Sequence, residues 1–430
     1  MDVPSTPDIG AIIRGARCAA RLTQTQLGQK CGYSASAISR IESNQLRLEH
    51  QRLLQLAVLL NIPPNRLTST PVPATATIDT VERPADEEDA VRRRNLLTGA
   101  VAAGATAVVG ASPAGAAPAS ADPAAALEEA LFRLPSAPPA PLTRLTQQTA
   151  TARADYCAAR YTALARALPD LIATATATRD SLSGREREQA GVIVARAYVL
   201  ATELALKQHN EAAWVAADRA LAAARAVGHP VPIGESSRVL AITMRRSGQC
   251  PAAVRLLRRE ATDLDPAQTQ TGAVRTTLLL TAAYTAANGT DRNTALDLLD
   301  EAGEQTERHQ DAVPGLFTVD ATRAQVDAYR ISVLNALGTP DEGVRIAQRL
   351  DIDHMSTAER RARAWTDTAR MWHALGDGPQ TLIALRHVEQ EAPQEVRRPA
   401  LRALTTDLLY APARVPGVRE FAIRTGAVPA

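Results

Sequence analysis

The sequence predicts an all-α protein, on three observations. Apolar residues recur at helical spacing over most of the 430 residues, and no stretch shows the two-residue alternation of a strand. Aromatic residues make up only 3%, so the core must be built from alanine and leucine, which suits packed helices better than a sheet sandwich. Turns containing glycine or asparagine return roughly every 40 residues in the second half. The length points to two or more domains, and 45% hydrophobic with 22% charged residues is a globular balance.

The amino-terminal elements follow in order. Ile9, Ile12, Ile13 and Ala16 share one face of a first helix, with Asp8 at its N-cap position and Arg14, Arg17 and Arg21 off that face. Thr23 caps a second helix, Gln24–Cys31, whose Leu27 and Cys31 face inward. Gly28 allows a close helix crossing, and Gly32 suits the left-handed residue after the last turn. Ser34 caps a third helix, which brings Ile38 and Ile41 to the same core. Leu53, Leu54, Leu56, Ala57 and Leu60 define a fourth helix over Gln51–Leu60, and Pro63–Leu67 begins a fifth. Residues 1–70 hold eight Lys/Arg against four Asp/Glu, while the remainder holds 40 against 42. A basic amino-terminal unit on a near-neutral body suits a nucleic-acid reader.

Residues 9–67 resemble the Cro/C1-type (XRE family) helix-turn-helix domain. The shared elements are the TQxxLxxxxG run from Thr23, the S-x-S-x-I-S-x-I-E run from Ser34 to Glu42, and a leucine-rich fourth helix ending in N-I-P-P. The resemblance implies that the third helix enters the major groove of double-stranded DNA. Helical spacing then puts Ala35, Ser36, Ser39 and Arg40 on the base-facing side, with Arg40 able to bind guanine bidentately or to hold a phosphate. Gln24 and Thr23 at the start of the second helix, and Asn44, Gln45 and Arg47 after the third, are expected at phosphates. Glu42 is expected to hold structure through an arginine rather than to meet DNA. Tyr33 is placed either over the helix pair or at a phosphate. A homodimer is implied by the resemblance alone.

Residues 71–141 read as an Ala/Pro-rich linker. Within it, residues 92–121 carry Arg92-Arg93-Arg94, an Ala/Gly/Val run and Ala-x-Ala sites, the layout of a twin-arginine export signal. A folded domain ahead of the segment and its few large apolar residues favour a helix or tether, with a signal or a membrane contact as alternatives.

Residues 142–430 read as a helical-repeat body. Five turns, at Gln208–Asn210, Ser247–Gln249, Asn288–Thr290, Leu337–Thr339 and Leu375–Asp377, each follow one apolar helix and precede another. Glycine or asparagine is expected to supply the left-handed residue. Asp155–Ile172 is placed in the leading helices and Arg398–Tyr410 in a terminal cap. The body looks like a tetratricopeptide-type solenoid without its Trp-Leu-Gly signature, and the whole resembles actinobacterial regulators that pair an XRE domain with such a body. By resemblance, an effector would be a peptide, a small molecule or a protein partner. Asn210, Trp214, Arg245, Arg246, Tyr284, Asn288, Tyr329, Asn335, Trp365, Arg370 and Trp372 are candidates by type, with no ligand site assigned. Trp365 and Trp372 are expected to pack between repeats.

No P-loop, GxSxG, HExxH or strand-borne GxGxxG is present, so no enzyme, cofactor or metal site is expected. Cys18, Cys31, Cys157 and Cys250 form no CxxC, which fits a reducing cytoplasm; Cys18 and Cys31 are read as buried small hydrophobes. The function expected is a cytoplasmic DNA-binding transcriptional regulator. A repeat scaffold with auxiliary DNA binding is the alternative, and a tethered or exported repeat protein a third.

Overall fold

The computed structural model describes residues 9–20, 22–33, 35–43, 46, 48, 50–60, 62, 123–308, 312–411 and 413–429, and among them every regular element is a helix. Asp8, Ser34, Asn44, Gln45, Arg47, the start of a fifth helix at 63–67 and the twin-arginine-like segment 92–121 lie outside the described residues.

The amino-terminal unit consists of α1 (Ile9–Ala19), α2 (Gln24–Cys31), α3 (Ala35–Glu42) and α4 (His50–Leu59). Ile13, Leu27, Ala37, Ile38, Ile41, Leu56, Ala57 and Leu60 bury together, as the spacing predicts. Thr23 caps α2 through a reciprocal box. Its hydroxyl accepts from the Gln26 amide at 3.1 Å, and the Gln26 side chain accepts from the Thr23 amide at 2.9 Å. Gly32 takes the left-handed conformation at φ 75°, and its amide donates to the Gly28 carbonyl. Cys18 departs from expectation and is exposed, while Cys31 is half-buried; all four cysteines are free thiols. The core of α1 is complete with Ile13 and the half-buried Ile9, Ile12 and Ala16, so position 18 falls to solvent.

Residues 123–132, expected within the linker, form α5 (Pro123–Phe132), whose Leu127 and Leu131 are buried in the body's core. Next come α6 (Leu142–Cys157) and α7 (Tyr161–Ser181), separated by a turn at Ala159 (φ 55°). Five helix pairs follow. They are α8 (Gly184–Lys207) with α9 (Ala213–Val227), α10 (Pro230–Arg246) with α11 (Cys250–Thr262), and α12 (Thr269–Asn288) with α13 (Arg292–Arg308). The fourth pairs α14 (Arg323–Ala336) with a 3-10 turn, Pro340–Gly343, and the short α15 (Val344–Ala347). The fifth is α16 (Ala358–Ala374) with α17 (Gly378–Glu391), and α18 (Pro399–Leu409) and α19 (Val418–Thr425) end the chain. Each first helix packs on its own second helix and on the first helix of the next pair, which is the arrangement of a helical solenoid. The α8 helix is long and apolar enough to cross a membrane, but 78% of its most apolar window is buried in this core.

All five anticipated turns are present and share one geometry. A single residue with φ between 58° and 79° sits at positions 209, 248, 290, 338 and 376. The amide after it donates to the carbonyl five residues back, as in Asn210 to Ala205 (3.0 Å) and Asp377 to Trp372 (2.9 Å). The left-handed residue is not always glycine. His209 takes it in the first turn and Thr290 in the third, while Gly289 has φ −81°. Gly289 answers a different need, since a Cβ there would lie 3.1 Å from the Cys250 Cβ. The second helix of the fourth pair is also shorter than the apolar spacing suggests. Gly343, a poor helix former, lies within its span, and a Cβ there would stand 3.4 Å from the Met371 sulfur.

The first and last helices of the body meet. One core joins Leu127–Val239 to Ala362–Phe421. At its polar centre Lys207 bonds both Glu359 and Glu395, Tyr161 donates to Glu395 at 2.5 Å, and Arg398 bonds the Lys207 carbonyl at 3.1 Å. Arg398 was expected in a terminal cap; here it also ties that end to α8. The stretch around Phe317 fills space among the first helices. Its amide donates to Glu235 at 2.7 Å, and Arg153 and Arg196 lie over its ring at 5.4 and 4.7 Å.

Candidate nucleic-acid interface

Two short helices and the turn between them build the candidate surface. The left-handed Gly32 ends α2 and turns the chain so that α3 packs across it, with the buried Gly28 at the crossing. Glu42 locks the pair. It is buried, and Arg17 of α1 grips it at 2.5 and 3.0 Å while Gln24 of α2 donates to it at 2.9 Å. Burial alone would raise the Glu42 carboxyl; the Arg17 and Gln24 hydrogen bonds outweigh it and hold the group below the ordinary carboxylate range. This is the structural role expected of Glu42, with Arg17 as its arginine.

Ala35, Ser36, Ser39 and Arg40 all lie on α3. Ser39 is exposed and Arg40 is half-buried. Gln24, expected at a phosphate, donates its side-chain amide to Glu42 at 2.9 Å and leaves its backbone at the amino end of α2. Thr23 is exposed at the start of α2, with its oxygen in the capping box.

Three side chains reach from this domain to the body. Arg40 pairs with Asp341 of the 3-10 turn at 2.5 Å. Tyr33 is buried with the core of the helix pair, one of the two placements anticipated, and its ring also lies against Gly338 of the body, which was not anticipated. Arg52 of α4 donates to the carbonyls of Ala336 at 2.6 Å and Ala287 at 3.2 Å, at the ends of α14 and α12. Asp341 and Arg52 went unnoticed in the sequence, where nothing marks a contact between residues so far apart.

A cavity of 1160 Å³ lies beside these contacts. Tyr33, Arg52 and Leu56 line it from one side, and Arg245, Tyr284, Asn288, Asn335 and Arg370 from the other. These five and Arg246 are among the candidates noted in the sequence, while Asn210, Trp214, Tyr329, Trp365 and Trp372 are not part of its lining. Arg245 sits over the Tyr284 ring at 4.7 Å and bonds the Thr285 hydroxyl at 3.2 Å. Trp365 instead stacks on His387 of its own helix pair, with centroids 4.1 Å apart, and it also packs against the cluster of Ala328, Ile352 and Met355, the packing between repeats expected of it. Among the described residues no group of His, Cys, Asp or Glu has the arrangement of a metal site.

Comparison with known proteins bears on this arrangement. A model of the helix-turn-helix domain family matches residues 8–68. The chain thus carries a helix-turn-helix domain on a helical-repeat body. No curated protein matches it. Among solved structures it is similar to that of Bacillus thuringiensis PlcR in complex with the peptide PapR7 and DNA. That similarity has 13% identity and a TM-score of 0.35, and it covers 88% of this chain and 99% of that one.

Proposed function

We propose that this protein is a cytoplasmic, sequence-specific DNA-binding transcriptional regulator. The observation that carries the reading is the frame of α2 and α3, which the Arg17–Glu42–Gln24 cluster braces from behind while Ser39 stays exposed. A recognition helix must be held rigidly to read base edges, and this is the part of the amino-terminal unit with a buried charge cluster behind it. In this reading Ala35, Ser36, Ser39 and Arg40 face the bases. Thr23, Asn44, Gln45 and Arg47 approach the phosphates, as does Gln24 through the amino end of α2. The working domains are 1–70 for DNA, 71–141 for the connection and 142–430 for the body, with α5 belonging structurally to the body. Two copies on a two-fold site would read enough base pairs for selectivity. The body would carry the dimer contact, the response to a peptide, small molecule or protein, or both. The cavity beside Arg52 and Arg245 is the place where an effector would touch both parts.

A salt-dependent gel shift on the DNA upstream of its own gene, with a random duplex library in parallel, tests the reading. A regulator gives specific binding on the order of 10³-fold or more above nonspecific binding. If no sequence exceeds nonspecific binding, the body is a scaffold and the amino-terminal domain an auxiliary to it.

A further inference from the structure

We infer that the body latches the recognition helix by taking up its one positively charged base-facing side chain, a device that rests on the DNA-binding reading above. Arg40 is the only cation on the outward face of α3, and the Asp341 carboxylate holds it at 2.5 Å. That carboxylate oxygen occupies the guanidinium that a phosphate oxygen or the O6 and N7 of guanine would otherwise engage. One guanidinium cannot serve both.

The contact is not a lone ion pair. Tyr33 lies in the turn just ahead of α3, and Arg40 in the last turn of α3 itself. Their partners Gly338 and Asp341 belong to one turn of the body. A Cβ built on Gly338 would fall 1.7 Å from Cε1 of the Tyr33 ring, so the ring rests directly on the backbone there. Gly32 meets the neighbouring turn in the same way, since a Cβ there would lie 3.1 Å from the Thr290 carbonyl oxygen. Arg52 adds two bonds to carbonyls at helix ends, where backbone acceptors lack helical partners.

Two features make this arrangement separable. Among the described residues, the apolar core of the amino-terminal domain is closed mainly by its own side chains, with Ala374 and Leu375 of the body packed against it. Besides the Tyr33 ring on Gly338 and the approach of Gly32 to Thr290, the contacts that remain are polar, and water can replace them. Beside them lies the 1160 Å³ cavity, which leaves the two surfaces only partly joined. Undocking therefore exposes little apolar surface. Any ligand that prefers the undocked form shifts the population toward a DNA-competent state.

The test uses the full chain as wild type, Asp341→Asn, Asp341→Lys and a control, Glu342→Gln. Glu342 is adjacent to Asp341 but pairs with Arg292 of the body. Affinity is measured on a duplex selected with the wild type, and hydrogen exchange is followed across residues 35–42. Both Asp341 variants should tighten binding by about five-fold or more and speed exchange in α3, as expected for a coupling of this kind, while Glu342→Gln does neither. A wild type that binds its site, with both Asp341 variants within about two-fold of it, overturns the latch and leaves the regulator reading intact. If neither the wild type nor any variant selects DNA, the regulator reading fails and takes the latch with it.

Discussion

In the helix-turn-helix domain, buried Glu42 finds its partners Gln24 and Arg17 only 18 and 25 residues away. In the body, Glu359 and Glu395 share Lys207 across 152 and 188 residues. Both clusters place carboxylates out of water and satisfy them with cations, but they secure different things. The first braces one helix crossing within a small unit. The second closes an array in which each pair otherwise touches mainly its neighbours. A repeat array gains stability by adding neighbour contacts, so its ends are its weakest points. Joining them through one lysine puts a large share of the body's integrity on a single side chain.

The largest effect should come from breaking the second cluster. Lys207→Ala leaves two buried carboxylates without their shared cation and should cost the body about 3–5 kcal/mol in chemical denaturation. A loss below about 1 kcal/mol would mean that Arg360, which pairs with Glu359, and Arg398, which bonds Glu395 at 2.8 Å, suffice to hold the two acids, and that the closure does not rest on the lysine. The same cluster sets a pH dependence. Burial would raise the Glu395 carboxyl, yet Lys207 and Arg398 overcome it and bring it from 4.5 down to about 2. A depressed folded value stabilises the folded state above the unfolded pKa. Its contribution is therefore complete above about pH 4.5 and is lost as pH falls toward 2. Acid titration of unfolding should show this decline, and Glu395→Gln should flatten it.

Arg17→Ala probes the first cluster. Glu42 would keep Gln24 but lose its charged partner, at a cost of about 1.5–3 kcal/mol confined to the amino-terminal domain. Hydrogen exchange in α2 and α3 would report it. A change that spread equally into α8 and α16 would mean that the two parts unfold as one and that the contrast between them is false.

The smallest effect has the opposite sign. Thr290 holds a left-handed conformation at φ 65° that a β-branched residue adopts only under strain. Thr290→Gly should relieve it and stabilise the body by up to about 1 kcal/mol in thermal unfolding.

The same comparison explains what the sequence could tell. The five turns were legible because each needs a left-handed residue between two apolar helices, and that need leaves a local mark. Which residue bends was less legible. Glycine at 289 suggested the left-handed position, but the structure uses Thr290 there, and Gly289 is small because Cys250 comes close. Glu42 was readable as structural because its charge would repel phosphate on a helix expected to face DNA, and a buried acid needs a cation nearby. Lys207 carried no such mark. Its partners share no period with it, and an ion pair formed across many repeats leaves no pattern in the residues around it. Arg40 shows the limit most clearly: its place on α3 was plain from spacing, while Asp341 on a distant turn was not.

The central claim is that α3 reads DNA and that Arg40 takes part. The direct measurement is selection from a random duplex library with the full-length wild type and with Arg40→Ala, followed by affinity on the winning sequence. The account predicts a two-fold motif with half-sites about one helical turn apart for the wild type. For Arg40→Ala it predicts a loss of about 1–3 kcal/mol with relaxed choice at one position of each half-site. Enrichment of no sequence by the wild type, or an unchanged motif and affinity in the variant, would contradict it.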